Sequence, residues 1–398
     1  MPTDPAAHHG VRAPTRPPVA LTAAAFVSSF DRFVVGPVIV LIADDLGVSF
    51  AAAIWVASGY YLAYGLCQPL WGVLSDRYGR VPLIRIALVL AAVAGVASVL
   101  AGGFGALLAA RLCAGACFGA VVPTTLTYVG DTVSGAHRQG ALSDLMGAMA
   151  VATATATATG GLLAAALGWR TVFVASSVAA LACVVAMRDV REPSREPMAG
   201  LVGHLGRAVT DRRCLLVYGL VFVEGALLLG SLTLLAPALQ AQGMGAGPAG
   251  LATAAYGVGT LTFSRVVRPL SRRRPIEHLM AIGGVAMALG CALVAVTVSL
   301  ASVVTAALLF GCGWAFLHTS LQTWATRVLP AARGTVVGLF AASLFLGSAA
   351  STAVAGPIAQ AGYWSFIFAG GAVAALPLTL ACIRGHRRQG RQDRQDLD

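Results

Sequence analysis

Long apolar runs separated by short charged segments follow one another along almost the whole chain. Each run is about 20 residues long, which is the length that an α-helix needs to cross the hydrocarbon core of a bilayer. The runs are continuously apolar, whereas the strands of a membrane barrel alternate apolar and polar residues. Only helices then satisfy the backbone inside lipid. We predict twelve transmembrane helices near residues 19–42, 51–72, 82–101, 105–129, 141–164, 171–188, 214–237, 247–268, 278–300, 302–325, 334–357 and 363–383.

The polar segments between these runs divide the chain into two halves. Pro193, Pro197 and many charged residues interrupt the apolar pattern after the sixth run. Two halves of six helices are the layout of parallel repeats related by an axis along the membrane normal. The predicted fold class is an all-α integral membrane protein with 12 transmembrane helices in two six-helix pseudo-symmetric bundles. The predicted parts are a cytoplasmic N-terminal tail at 1–18, an N-terminal bundle at 19–188, a cytoplasmic central loop at 189–213, a C-terminal bundle at 214–383 and a cytoplasmic C-terminal tail at 384–398.

Composition supports a membrane protein, and the distribution of charge predicts its orientation. The chain is 58% hydrophobic and 11% charged, whereas a soluble domain has about 25% charged residues. Its net charge is +11, but no basic stripe with interleaved aromatic side chains is present, so we expect no nucleic-acid partner. The arginines gather in alternate loops, and on the other side Arg170 is the only basic residue, accompanied by Asp44 and Asp45. This bias predicts a multi-pass plasma-membrane protein with both termini in the cytoplasm.

Two further features of the sequence are interpreted as structural. The 8 cysteines are scattered through apolar runs without the spacing of metal ligands, so we expect neither a metal site nor a disulfide framework. Residues 152–159 alternate Ala and Thr, a period that imitates a strand. They lie in the middle of an apolar run, however, where threonine hydroxyls bond back to carbonyls one helical turn earlier.

Ionisable residues inside the predicted helices are the leading candidates for function. A charged group at the centre of a helix costs about 2.5–3.5 kcal/mol on insertion scales, so it usually faces a cavity or a partner. Such residues are Asp31 with Arg32 in helix 1, Arg111 in helix 4, Glu224 in helix 7 and His318 in helix 10. With a rise of about 1.5 Å per residue, Asp31 and Arg111 fall at a similar depth. We therefore expect that these two side chains are able to meet.

Two acids near mid-depth on equivalent helices are the arrangement expected of a central substrate and proton site. Burial disfavours the ionised form of a carboxylic acid. We hypothesise that Glu224, with Asp31 as the second candidate, binds and releases the coupling proton. If Arg111 holds Asp31 ionised, Asp31 serves charge balance or substrate binding instead. The alternative is that these charges only tie helices together.

A polar stripe on helix 10 and polar residues on helices 2 and 8 are candidates to line a cavity. Trp314, His318 and Gln322 recur every four residues and so share one helix face. The alternative for His318 is a packing role with a bond to a neighbouring carbonyl. The other predicted lining residues are Tyr60, Tyr61, Gln68 and Tyr256.

The segment Gly72–Arg80 reads Gly-Val-Leu-Ser-Asp-Arg-Tyr-Gly-Arg and packs its charges into a short turn between two runs. It resembles the loop between the second and third helices of the major facilitator superfamily, with Val81 where that family has a further basic residue. Arg111 to Gly115 resembles the Arg-x-x-x-Gly of the family's fourth helix. Residues 168–170 resemble the Gly-Trp-Arg that opens its sixth helix. The likeness is greatest to the 12-helix drug:proton antiporter type.

The resemblance implies a cytoplasmic latch between the two halves. In the family, the acid corresponding to Asp76 caps the inner end of helix 11, which here begins near Gly334. A carboxylate at a helix N-terminus is favourable by about 0.3–1 kcal/mol. The arginine corresponding to Arg80 pairs with an acid that ends helix 4, here Asp131. The residues assigned to the latch are Gly72, Asp76, Arg77, Gly79, Arg80 and Asp131.

These features predict a secondary active transporter that works by alternating access. We expect proton-coupled export of small amphipathic or aromatic compounds, energised by the proton gradient without a cofactor. The alternative is a proton symporter or facilitator that imports a small metabolite. Exporters of the family carry Gly-Pro-x-x-Gly-Gly in helix 5, whereas Ala156 and Thr157 occupy the Gly-Pro positions before Gly160 and Gly161 here, and this departure keeps the alternative open.

A function of another class is a membrane sensor or enzyme built on a transporter scaffold. The sequence offers no Ser/His/Asp set, metal cluster or phosphate-binding loop to support catalysis. We therefore expect a protein that is not an enzyme. Its expected partners are a small-molecule substrate, protons and the lipid bilayer, and we expect it to act as a monomer.

Overall fold

Helices form wherever the sequence is continuously apolar. The computed structural model describes residues 15–193 and 201–395, and these residues form helices and short connections without a strand. Twelve long helices are α1 Val19–Leu46, α2 Phe50–Tyr78, α3 Arg80–Leu100, α4 Phe104–Thr132, α5 Gly135–Leu167, α6 Arg170–Ala186, α7 Arg212–Ala241, α8 Ala246–Leu270, α9 Ile276–Val296, α10 Leu300–Val328, α11 Arg333–Gln360 and α12 Trp364–Gln395. By length and composition, ten of them are able to cross a membrane. The other two are α6, which is shorter, and α8, which is rich in glycine and threonine.

The turn between α2 and α3 is a single residue. Helix α2 continues through Asp76 and Arg77 to Tyr78, and α3 begins at Arg80. Gly79 between them has a φ of 107°, a conformation that is open to glycine and opposed by a side chain. The prediction that Asp76, Arg77 and Arg80 lie in a short turn was therefore wrong, because all three are helical and charges near a membrane surface do not by themselves end a helix.

Two polar stretches are more helical than the sequence analysis predicted. A short helix, Leu201–Thr210, lies within the predicted central loop and precedes α7. Asp211 caps α7, since its carboxylate accepts hydrogen bonds from the backbone nitrogens of Arg213 at 2.8 Å and Cys214 at 3.0 Å. Helix α12 continues to Gln395, through most of the predicted C-terminal tail. Residues 1–14 of the predicted N-terminal tail and 194–200 of the central loop lie outside the described residues.

The helices of the second half pack in the same pattern as those of the first, each helix corresponding to the one six places earlier in the chain. In the first half the main contacts are α1 with α5, α2 with α4, and α3 with both α4 and α6. In the second half they are α7 with α11, α8 with α10, and α9 with both α10 and α12. The contacts between the halves, α5 with α8 and α11 with α2, obey the same shift. This correspondence is the pseudo-symmetry expected of parallel repeats.

The two halves are bonded to each other on one side of the molecule. Because the twelve helices alternate in direction, both ends of the described chain lie at one face, here called the terminal face, and Gly47 and Gly168 mark the opposite face. Towards the opposite face, Gln240 donates to the carbonyl of Pro37 at 2.9 Å, and the Ser58 and Thr352 hydroxyls lie 2.8 Å apart. These bonds close the seam between the halves away from the terminal face.

Small residues let α5 and α8 approach across this seam. A Cβ atom on Gly250 would lie 3.1 Å from the Cα atom of Gly161 and would overlap the carbonyl oxygen of Thr157. The threonines of the Ala/Thr segment bond back along α5 as predicted, with Thr153 donating to Met149 at 3.0 Å and Thr155 to Val151 at 2.8 Å. All eight cysteines are free thiols.

Candidate functional site

An ion pair sealed from solvent joins α1 to α4. Arg111 donates to both carboxylate oxygens of Asp31, from Nη2 at 2.7 Å and from Nη1 at 3.3 Å. Ser176 on α6 donates to Asp31 Oδ1 at 2.7 Å. The side chains of Arg111 and Asp31 are 0% and 1% exposed. The contact that the sequence made possible is thus formed, and it satisfies both oxygens of Asp31.

Aromatic rings enclose the Arg111 guanidinium. Its Cζ atom lies 4.8 Å from the ring centroid of Tyr60 and 4.5 Å from that of Phe173. Helix α4 comes close enough because Gly115 faces the backbone of Tyr60, where an added Cβ would lie 3.0 Å from the Tyr60 Cα atom. A cation between ring faces is stabilised electrostatically. These contacts hold the pair in a fixed position.

Glu224 and His318 form a second buried pair, between α7 and α10. Glu224 Oε2 lies 3.1 Å from His318 Nδ1, and the Glu224 side chain is 0% exposed. Its other oxygen, Oε1, has no hydrogen-bond partner among the described residues. His318 stacks on Trp314 with 3.8 Å between ring centroids, and Phe340 of α11 lies 5.4 Å away. The pair thus places a carboxylate and an imidazole side by side, away from solvent.

Wide helical turns lie at both members of this pair. Residues Ala226–Gly230, directly after Glu224 and Gly225, form a π-helical turn of α7. Residues Trp314–His318 form another in α10. Such turns are rare and occur frequently at functional sites. They also alter the stripe that the sequence predicted, because Trp314 and His318 stack within the wide turn while Gln322 lies beyond it and is only half-buried.

Arg32, the neighbour of Asp31 on α1, points to the seam between the halves. Its Nη2 donates to Ser29 Oγ at 3.3 Å, whereas its Nε has no partner among the described residues. The Cζ atom lies 5.2 Å from the ring centroid of Tyr64 on α2 and 5.0 Å from that of Phe345 on α11. Arg32 thus contacts both halves and belongs to neither of the buried pairs.

The other residues predicted to line a cavity on α2 and α8 each make a different contact. The Tyr61 hydroxyl lies 3.1 Å from Thr233 Oγ1 of the other half, and the ring of Tyr256 lies 6.3 Å from that of Phe33. Tyr61 and Thr233 line a small cavity at the seam. Gln68 is buried, and its Oε1 has no partner among the described residues. Gln68 and Arg32 therefore each keep a buried polar atom without a partner among the described residues.

The residues assigned to the latch cluster at the terminal face of the first half. Arg80 Nη1 lies 2.6 Å from Asp76 Oδ1, and Arg80 Nε lies 3.0 Å from Asp131 Oδ2. Asp76 bonds Arg80 within its own half, and the expected cap on the start of α11 is not among the contacts it makes in the described structure. The guanidinium of Arg77 lies 5.5 Å from the ring of Tyr78. Around Gly72 an added Cβ would meet no atom within 4 Å.

Sequence reasoning missed a residue that caps α3. Glu192, in the segment after α6, accepts hydrogen bonds from the backbone nitrogens of Arg80 and Val81, each at 2.8 Å. These are two of the free donors at the start of a helix. Glu192 is one of many charges in the central segment, and no local pattern distinguished it. Ser176 and Phe345 were likewise missed, because each carries its role only through a contact with a distant helix.

The chain is similar to known transporters in sequence. A family model described as Major Facilitator Superfamily matches residues 21–352. The chain is 32% identical over 155 residues to a protein named efflux pump dotC of Dothistroma septosporum, a match that covers 39% of this chain and 27% of that protein. It is 30% identical over 192 residues to a protein named triacylglyceride transporter of Mycolicibacterium smegmatis, which covers 44% of this chain and 34% of that protein. The chain thus spans about a third or less of the length of these curated relatives.

Solved structures show the same fold at low sequence identity. A variant of the nucleoside transporter NupG superposes with a TM-score of 0.75 at 15% identity over 92% of this chain and 99% of that chain. A D-xylose-proton symporter superposes with a TM-score of 0.74 at 17% identity over 90% and 96%. A bacterial homologue of the lysosomal transporter Spinster, in an inward-facing conformation, gives a TM-score of 0.74 at 18% identity over 93% and 96%. With the family match over most of its length, the chain belongs to the Major Facilitator Superfamily of multi-pass membrane transporters.

Proposed function

We propose that this transporter couples proton influx to the export of small amphipathic or aromatic compounds by alternating access. The observation that carries the proposal is the buried Glu224–His318 pair, which has one carboxylate oxygen without a partner among the described residues. A buried acid next to an imidazole is suited to take up and release a proton. The curated relatives named efflux pumps support the direction of transport.

The proposal also assigns a role to the Asp31–Arg111 pair, an orientation to the chain and an energy source to transport. The Asp31–Arg111 pair supplies fixed charge balance, since an arginine does not lose its proton in proteins. The protein acts as a monomer in the plasma membrane with both termini in the cytoplasm, where the excess of arginine in alternate loops would place them. A membrane potential of 100 mV gives about 2.3 kcal/mol for each charge moved inward, which is enough to drive accumulation against a gradient.

Import with a proton is the second candidate, and the departure in helix 5 favours it. Ala156 and Thr157 replace the Gly-Pro of the exporter signature. Purified protein in vesicles with an imposed pH gradient and an enclosed pH-sensitive dye separates the two. A substrate gradient that moves protons in the opposite direction supports export by antiport, and movement in the same direction supports the second candidate. A panel of toxic amphipathic compounds that produces neither proton movement nor protection of expressing cells contradicts proton-coupled transport of such compounds.

A further inference from the structure

Arg32 is a buried cation at the seam that has no carboxylate partner among the described residues. The residue is 8% exposed, and within the described part of the chain its guanidinium donates to the neutral hydroxyl of Ser29. No described carboxylate lies within ion-pair distance of its nitrogens. A buried charge without a partner carries a desolvation cost that pairing would reduce. Arg32 therefore has unused capacity to bind an anion.

The acids that could neutralise Arg32 are held elsewhere. Adjacent Asp31 accepts bonds from Arg111 and Ser176 on both of its oxygens. Glu224 bonds His318 through Oε2 at 3.1 Å. Gly225, next to Glu224, packs on the backbone of Leu344, whereas the Arg32 guanidinium faces the following ring, Phe345. In this conformation, Arg32 and the residue next to Glu224 contact adjacent residues of α11, and the described structure contains no ion pair between Arg32 and Glu224.

The side chains around Arg32 indicate which kind of anion it would bind. Rings of Phe33, Tyr64 and Phe345 lie 4.9, 5.2 and 5.0 Å from its Cζ atom. A guanidinium has five N–H donors in a flat fork that matches a carboxylate, and its Nε has no acceptor among the described residues. The rings present apolar faces, which favour an aromatic body. Arg32 thus offers a fork for a planar anion, and the rings packed on it are the candidate contacts for a flat apolar group.

We propose that Arg32 anchors the substrate, and that the substrate class is a small amphipathic organic anion with a carboxylate or similar planar anionic group on an aromatic or apolar body. Because Phe345 belongs to the second half and Tyr64 to the first, an anion bound to Arg32 contacts both halves. Its binding is then sensitive to their relative movement, as alternating access requires. The proposal rests on the proposed transport function and holds for export and import alike.

The test compares three probes of one shape and different charge. Purified full-length protein is titrated with 1-naphthoate, 1-naphthamide and 1-naphthylmethylamine, and the midpoint of thermal unfolding gives an apparent affinity for each. We expect naphthoate to bind at least tenfold more tightly than the amide or the amine. Arg32→Gln should abolish this preference, and Arg32→Lys should retain part of it, because the charge remains while the fork is lost. Arg273→Gln, at an exposed arginine of the α8–α9 connection, is the control that removes the same charge and should keep the full preference.

Several outcomes overturn the proposal. They are equal affinity for the three probes, tighter binding of the amine, no binding of naphthoate by the wild-type protein, or an unchanged preference in a folded Arg32→Gln variant. The vesicle assay for proton movement tests the proposed function separately. Selective binding of naphthoate without any proton movement contradicts proton coupling and leaves the anion site standing. Proton-coupled transport without preference for anions contradicts the anion site alone.

Discussion

Glu224 Oε2 on α7 lies 3.1 Å from His318 Nδ1 on α10. In the first half, Asp31 Oδ2 on α1 lies 2.7 Å from Arg111 Nη2 on α4. The helices correspond under the shift of six that relates the two halves, but the chemistry does not. Arginine keeps its charge at any physiological pH, whereas histidine changes charge near neutrality. One half therefore carries an arginine–carboxylate pair and the other a histidine–carboxylate pair at the corresponding helices.

Replacing Glu224 should uncouple transport from protons. In Glu224→Gln the side chain keeps its size, but the pair with His318 loses its exchangeable acid. We expect proton movement in the vesicle assay to fall by at least tenfold while the protein remains folded. The matched control is Glu277→Gln. Glu277 also pairs with a histidine, His386 at 2.9 Å, but this pair lies at the terminal face, between α9 and α12. Wild-type proton movement in Glu224→Gln would contradict the role assigned to Glu224.

The Asp31–Arg111 pair should dominate stability. In Asp31→Asn, Arg111 remains charged and buried without a counter-ion, and breaking such a pair costs about 3–5 kcal/mol. We expect a large fall in the thermal midpoint, which the double variant Asp31→Asn with Arg111→Gln should partly restore. The control is Asp45→Asn, which removes an exposed pair with Arg170 and should cost about 0–1 kcal/mol. An equal loss in the two single variants would contradict the buried brace.

The cap that Glu192 provides should fix the start of α3. Glu192→Ala removes the acceptor of two backbone N–H groups, and the loss of a helix cap costs about 0.5–2 kcal/mol. Hydrogen exchange should become faster at Arg80 and Val81, the residues whose nitrogens donate to this carboxylate. Asp189→Asn, nearby in the same segment, should leave their exchange unchanged. Unchanged exchange in Glu192→Ala would show that the cap does not order this helix end.

A wedge between α5 and α8 should open the seam at the opposite face. Gly250→Val places a side chain against Gly161 and Thr157, where even a single Cβ atom has no room. We expect the distance between spin labels at positions 51 and 360, which are bonded across the seam in the wild-type structure, to lengthen in pulsed electron resonance. Gly147→Val on α5 is the control, since an added Cβ there meets no atom within 4 Å. An unchanged distance in Gly250→Val would contradict the prediction that a wedge between α5 and α8 opens the seam.

Asp76 should matter for turnover more than for folding. Its bond to Arg80 lies within the first half, and the resemblance to the family predicts a second contact, to the start of α11, that is not among its contacts in the described structure. We expect Asp76→Ala to slow transport several-fold with little change in the thermal midpoint. Asp144→Asn removes an exposed carboxylate near Arg16 and should transport normally. Normal turnover in Asp76→Ala would count against the latch.

Much of the fold was predictable because membrane helices are specified locally. A continuous apolar run of sufficient length has to be helical in lipid, and neither the number of runs nor their approximate limits depend on distant residues. The ends were less predictable, since Gly79 alone separates α2 from α3 and α12 continues through many charges to Gln395. A helix that continues past its apolar run into a charged segment depends on local contacts. A hydropathy pattern does not distinguish such a segment from a loop.

The sequence by itself determined which residues are costly to bury, because the free-energy cost of placing Asp31, Arg32, Arg111, Glu224 or His318 inside a span follows from the side chain and its depth alone. Only the tertiary structure decided how that cost is met. In the folded protein Arg111 pairs with Asp31 and His318 pairs with Glu224, whereas Arg32 lies among aromatic rings at the seam. The physical reason is that a pairing between helices depends on their rotation and crossing, to which residues along the whole chain contribute.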